Sequence, residues 1–399
     1  MQTANADNFF RTENDIAKSN VQALKSEQIR AESNTIPLKG KIISFVVEND
    51  HAWTAESGAV ARKVSLEDGK TLQLFKGHSG PVTSIQIYNN FLITGSWDKT
   101  IKIWDTTVGY HSGRLYYSDS KYRAQTKELV SDTDAHIDFV KCLLVISPLG
   151  ILVSGSSDKT IRIWDLRFQS KAPLRLLHVA SGHTRPVECL AYDPQREELY
   201  SGDSMGRIKI WKLERDEDAS TCRITVLGEN QRHRTGVNEL VSTRDGLWSA
   251  STDCTVIFHR HASPEQPVII KHEHPVKCIS LLPIQESDML LFTGSQEKIH
   301  TFDVSTVGHE EVELLGQTEA HSLDINSIGI WYHGSQSTHA YRQQDVTIIT
   351  SSLDGMLRKW KIDQLLSPQP VPAPSHKPLK QSILTRDEER ELEELLESD

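Results

Sequence analysis

The chain has 399 residues, 37% of them hydrophobic and 25% charged, a composition that fits a globular protein with room for one large core or two or three ordinary domains. Its net charge is −10, of which residues 385–399 supply −6 (eight acidic groups against Arg386 and Arg390), leaving −4 elsewhere; this balance lacks the broad basic footprint of a nucleic-acid binder, so direct DNA or RNA binding is not expected. No apolar run approaches the roughly 18 residues of a membrane span, the N-terminus lacks the basic-then-apolar order of a secretory signal, and five cysteines are too few and too odd in number for a disulfide framework; a cytoplasmic or nuclear protein without membrane contact is expected.

In chain order, residues 1–33 read as a helical extension, with Ile16, Val21, Leu24 and Ile29 recurring between Asp15 and Ala31. From residue 34 the pattern changes to short alternating apolar runs separated by Gly, Asn and Asp clusters, the signature of strands and tight turns. GKIISFVVENDHAWTAESGAVARKVSL is the first and most degenerate unit, and GHSGPVTSIQIYNNFLITGSWDKTIKIWD, from Gly77, is the second. After an insert at residues 107–134 that holds four tyrosines, AHIDFVKCLLVI and ILVSGSSDKTIRIWD make a third. SGHTRPVECLAYDPQREELYSGDSMGRIKIWK follows from Ser181, and weaker copies begin at Arg232 and His272. The last, AHSLDINSIGIW, is interrupted by residues 333–345 and resumes as VTIITSSLDGMLRKWK. Seven units are present, and such periodicity decides the fold before any other feature. Residues 364–380 read as a Pro-rich linker, since 368–378 contain five prolines. Residues 381–399 read as an acidic helix opened by a capping box at Thr385–Glu388, with Leu392, Leu395 and Leu396 close together on it, suited to docking on a basic partner.

The units resemble the WD40 repeat, from about residue 35 to 363. The resemblance implies an all-β, seven-bladed propeller over residues 34–363, with short helical extensions at either end. It implies a non-catalytic scaffold that binds proteins or peptides, with no cofactor and no metal, monomeric within a hetero-complex. Blades of four strands cannot bury both apolar faces alone, so the array must close on itself. After Trp360 no fourth strand follows, whereas NTIPLKG at 34–40 echoes KTLQLFKG; residues 35–39 are therefore expected to supply the outer strand of the last blade. The repeated Val140-Lys-Cys142, Val187-Glu-Cys189 and Val276-Lys-Cys278 place a small buried thiol at one strand position, a compact hydrophobe and not a metal ligand.

Histidine, hydroxyl and aspartate recur together: His78, Thr94, Asp98 and Trp104; His136, Ser154, Asp158 and Trp164; His321, Thr350, Asp354 and Trp360. In the family the matching residues form a buried chain from Trp to Ser or Thr, to His, to Asp. Copies spread around a ring argue for architecture, whereas a catalytic triad is defined by one geometry with one set of roles. Other units have lost members: the fourth has Met205 at the Asp place, the fifth has His259 at the Trp place, and the first has Gly58 at the Asp place. Gly202-Asp-Ser204-Met-Gly206 fits GxSxG, but an alternating strand follows it where a nucleophile elbow needs a helix. A hydrolase site in the central funnel would need a perturbed carboxylate beside a His.

By the same resemblance the residue before the tetrad Asp faces the narrow end of the ring. Trp97 and Leu353 hold that place in the second and seventh units, and Phe139, Arg185 and His274 border it, so these five are the expected partner-binding residues. Leu152 to Arg167 also fits the Trp-Asp-x-Arg motif of substrate receptors for a cullin-4-type ubiquitin ligase, with Asp158, Trp164, Asp165 and Arg167 as hallmarks. A ribosome-assembly or chromatin-associated subunit is a further reading.

Overall fold

The computed structural model describes residues 34–366 apart from 107–134, 168–173, 216–220, 262–265, 285–288, 306–311 and 334–345, together with Leu24 and Glu27. The described residues form seven antiparallel sheets taken in sequence order, a seven-bladed β-propeller. Blade one runs through Ile42–Glu48, His51–Glu56, Val60–Ser65 and Thr71–Lys76, and the others repeat that meander. Blade two shows three strands (Val82–Tyr88, Phe91–Ser96 and Ile101–Asp105) before the chain enters residues 107–134. Blade seven is made of Ile325–Tyr332, Val346–Ser352 and Met356–Lys361, and its outer strand is Thr35–Pro37, with Ile36 opposite Leu357. Two flanking bonds extend this seam, Leu38 N–H to Gly355 C=O at 2.8 Å and Lys359 N–H to Asn34 C=O at 2.9 Å. Start and end of the ring thus share one sheet, which removes an unpaired edge.

The core is divided among the blade interfaces. Each of seven apolar clusters joins residues of two neighbouring blades; Trp53, Ala55 and Phe75 of blade one meet Val82, Ile85, Leu92 and Trp104 of blade two. Alternation makes this necessary, since each strand turns successive side chains to opposite faces and each face finds a different neighbour. A glycine in the second strand lets the next blade approach. A Cβ on Gly202 would sit 2.6 Å from Cys189 Sγ and 2.8 Å from Val237 Cβ, and Gly155 and Gly294 are confined in the same way by Cys142 and Cys278.

The innermost strands are tied across blades by one recurring bond. In three blades the second residue of the inner strand donates from its side chain to the carbonyl of the first residue of the next blade's inner strand: Thr83 to Val140 at 2.6 Å, Asn238 to Val276 at 2.6 Å and Asn326 to Ile42 at 2.8 Å. The Cys189 thiol faces the Val237 carbonyl at 3.4 Å. Burial pushes the Cys189 and Cys278 thiols well above the usual range, and Cys142 is pushed the same way, so all three stay protonated and act as small apolar side chains. After blade seven the chain continues in a short helix, Ile362–Leu366, whose Ile362 and Leu365 are buried against blades six and seven. The expected linker from 364 therefore begins inside a packed turn. The acidic tail with Leu392, Leu395 and Leu396, and nearly all of the N-terminal extension, lie outside the described residues.

Candidate functional site

The polar residues at the loop end of each blade assemble first. In blade two the Trp104 indole N–H donates to Thr94 Oγ1 at 2.8 Å, Thr94 Oγ1 lies 2.8 Å from His78 Nε2, and His78 Nδ1 lies 2.8 Å from Asp98 Oδ2. One proton assignment satisfies all three: the hydroxyl accepts from Trp and donates to Nε2, leaving Nδ1–H for the carboxylate. Burial alone would raise the Asp98 carboxyl, but bonds from His78, Thr100 and the Ser79 N–H outweigh it and hold it well below the usual range. Blade three repeats the chain through Trp164, Ser154, His136 and Asp158 at 2.9, 2.8 and 2.9 Å. Blade seven repeats it through Trp360, Thr350, His321 and Asp354 at 3.0, 2.8 and 2.9 Å. Burial lowers His136 and His321, with their aspartates pulling the other way.

Blade four corrects the sequence reading. Met205 occupies the Asp place and is 48% exposed, yet the blade has its acid. Asp203, the last residue of the strand Glu198–Asp203, lies 3.3 Å from His183 Nδ1; His183 Nε2 lies 2.6 Å from Ser201 Oγ, which accepts the Trp211 N–H at 2.7 Å. Asp203 also accepts the N–H groups of Met205 and Arg207 at 2.9 and 3.0 Å. Blade one uses the same strand position differently. Glu56 is paired bidentately with Arg62, 2.6 Å from Nε and 3.1 Å from Nη2, and also accepts the Thr54 hydroxyl. The sequence signal for both was an acid closing the small-residue run, as in Thr54-Ala-Glu56 and Ser201-Gly-Asp203. In blade five His233, Ser249 and Asp253 are joined, while His259, in the Trp place, has both ring nitrogens buried without a hydrogen-bond partner. Ser204 sits in a turn between two strands, so its GxSxG surroundings lack the helix of a nucleophile elbow.

On the inner strand of blade five, burial pushes the Glu239 carboxyl up to about 7 against the bond it accepts from the Ile279 N–H at 2.7 Å. The groups acting on its ionisation are that burial and that amide, with no imidazole among them.

The loops at the His/Asp end carry the exposed apolar groups. Gly80 and Pro81 wedge the Trp97 backbone, whose N–H donates to the Pro81 carbonyl at 3.0 Å, and a Cβ on Gly80 would meet the Asp98 N at 3.0 Å. Trp97 is 42% exposed and stacks on Phe139, itself 38% exposed, with ring centroids 5.2 Å apart at an interplanar angle of 19°. Ile137, two residues before Phe139, is 76% exposed, and Met205 in blade four is 48% exposed. Arg185 and His274 are exposed in the equivalent loops of blades four and six, and Leu353 is half-buried in blade seven. The ligase-motif residues divide: Trp164 and Asp165 are buried, Asp158 is held in its tetrad, and Arg167 is exposed, bound through Nε and Nη2 to Asp165 at 2.9 and 3.2 Å.

Comparisons with known proteins agree with this geometry. The family described as "WD domain, G-beta repeat" matches residues 69–105, 127–165 and 174–212. An uncharacterized WD repeat-containing protein of Schizosaccharomyces pombe is 28% identical over 431 residues, spanning 99% of this chain and 100% of that one. A serine-threonine kinase receptor-associated protein of Dictyostelium discoideum is 23% identical, covering 74% of this chain and 85% of its own. A ribosome biogenesis protein WDR12 homolog of Anopheles gambiae is 26% identical over 39% of this chain and 35% of its own.

Proposed function

The chain belongs to the WD40-repeat family, and from that premise we propose that it is a non-catalytic scaffold that docks protein partners at the end of the ring where Trp97 and Phe139 stand. The observation that carries this reading is the exposed, stacked Trp97–Phe139 pair, with Ile137 exposed two residues before Phe139. Two large rings that hold each other in place lose little freedom on binding, and aromatic anchors of this kind dominate interface energetics. Arg185, His274 and Leu353 provide a more polar border from other blades. The side chains that could do chemistry are used elsewhere, since the tetrad imidazoles and carboxylates in blades two, three, four and seven bond one another inside their blades. Work in the cytoplasm or nucleus as one copy within a larger complex fits this surface.

The test is Trp97→Ala and Phe139→Ala in the full chain, with partners quantified by mass spectrometry after affinity purification. Loss of a stoichiometric partner at unchanged thermal midpoint is expected; an unaltered partner set refutes the surface. A ribosome-assembly role is a second reading, supported by the likeness to the Anopheles ribosome biogenesis protein, and co-sedimentation with pre-ribosomal particles tests it. A ligase-receptor role would have to act through Arg167, the exposed member of its motif, and Arg167→Ala should then release the adaptor.

A further inference from the structure

Blade six departs from the polar chain of its neighbours in a way that gives the ring a weak point. His272 precedes its inner strand by four residues, as His78 does in blade two. Thr293 holds the hydroxyl place opposite His300, and Phe302 holds the Trp place opposite Leu291, just as Thr94 faces Lys102 and Leu92 faces Trp104. Phe302 has no N–H to give. In five other blades the His Nε2 lies 2.6–2.8 Å from its hydroxyl. In blade six that link is broken: His272 Nε2 and Thr293 Oγ1 are each buried without a hydrogen-bond partner, and so is His300 Nδ1. The two imidazoles meet edge to face instead, with ring centroids 4.9 Å apart, and His272 also lies edge-on to Phe302 at 5.5 Å.

We propose that blade six is an acid-sensitive element of the ring, in which protonation of the half-buried pair His272 and His300 loosens this blade more than the blades with complete tetrads. A proton added to His136 or His321 finds a carboxylate 2.9 Å from Nδ1 and becomes half of a buried ion pair. A proton added to His272 finds no such group; what acts on it is burial and the neighbouring His300, and both oppose the charge. From blade five, the Cys254 carbonyl accepts the His272 backbone N–H at 2.8 Å and so fixes the residue without facing its ring nitrogens. Around His300 stand Lys298 and His274, which oppose a proton, and Glu273, which favours it, with burial the largest influence. The result is His272 pushed down to about 3 and His300 to about 4.

The sign follows from linkage. Between these values and the ordinary 6.5 the opened blade binds protons that the closed blade refuses, so closure is intact above pH 6.5 and is lost progressively as pH falls. Full exposure of one such imidazole at pH 5 would favour opening roughly 30-fold. The experiment is hydrogen exchange on the full chain from pH 7.5 to 5, corrected for intrinsic rates. Amides of the strands Val276–Pro283, Met289–Ser295 and Lys298–Asp303 should lose protection at least tenfold, while those of Val140–Ile146 and Ile151–Ser156 in blade three change far less. The double variant His272→Gln/His300→Gln should flatten the blade-six response. Should it fail to fold, histidine ring titration by NMR in the natural chain replaces it, with both rings expected to titrate together with the opening. Parallel loss in blades three and six, or an undiminished response in the double variant, overturns the proposal.

Discussion

Asp203→Ala is the substitution on which the geometry of blade four and the plain repeat pattern disagree. By repeat position the acid should stand where Met205 stands, and Asp203 would be an incidental turn residue. In the structure Asp203 is 1% exposed and accepts three bonds, from His183 Nδ1 and from the Met205 and Arg207 N–H groups. Removing it leaves the buried His183 donor unpaired, at about 1–3 kcal/mol, and forfeits two turn bonds of about 0.5–1.5 kcal/mol each, since those amides can recover water. The expected cost is about 2–6 kcal/mol, against no more than about 0.5 kcal/mol for Met205→Ala at an exposed site. Burial would raise the Asp203 carboxyl, but the bond from His183 and the two amides hold it below the usual range. Its contribution is therefore present above pH 4 and lost as pH falls through its own lowered value. Urea denaturation at pH 7, with hydrogen exchange to localise the effect, decides the matter. Equal costs for the two variants, or a loss of protection outside blade four and its neighbours, would refute the assignment.

Deleting residues 1–40 removes the strand Thr35–Pro37 and the Leu38 bond to Gly355; a sharply lower thermal midpoint is expected, and an unchanged one contradicts the closure. Glu239→Gln keeps an acceptor for the Ile279 N–H but cannot ionise. Because the Glu239 carboxyl is raised from 4.5 to about 7, it costs the natural protein stability as pH climbs through that window. The variant should therefore gain relative stability, up to about 3 kcal/mol, between pH 5 and 8 in parallel urea titrations. Gly202→Ala forces a methyl group to within 2.6 Å of Cys189 Sγ and 2.8 Å of Val237 Cβ, and calorimetry should show a loss of about 1–3 kcal/mol.

The blades were legible because strand alternation and turn residues recur with one period, and a period is visible even where single units are degraded. Trp104, Trp164 and Trp360 announced complete tetrads because every member kept its place. Blade four escaped the reading because hydrogen bonding depends on reach and not on position: a carboxylate two residues earlier, at the strand end, meets the same imidazole. Blade one escaped it because Glu56 and Arg62 replace the chain with a different bonding pattern altogether. Glu239 looked like any strand residue; only the assembled ring brings its carboxylate to the Ile279 N–H of blade six and near enough to the Cys189 and Cys278 thiols to oppose their ionisation. The stacking of Trp97 on Phe139 joins two blades separated in sequence by the insert 107–134, so exposure could be guessed but contact could not.

The scaffold account is tested most directly by a footprint on the native complex. The full chain is purified with its partners, and hydrogen exchange at the loops around Trp97 and Ile137–Phe139 is compared with that of the chain alone. The account predicts protection centred on those loops, extending toward Arg185 and His274. Protection confined to the outer strands, or an isolated chain that turns over a substrate while these loops remain exposed, would contradict it.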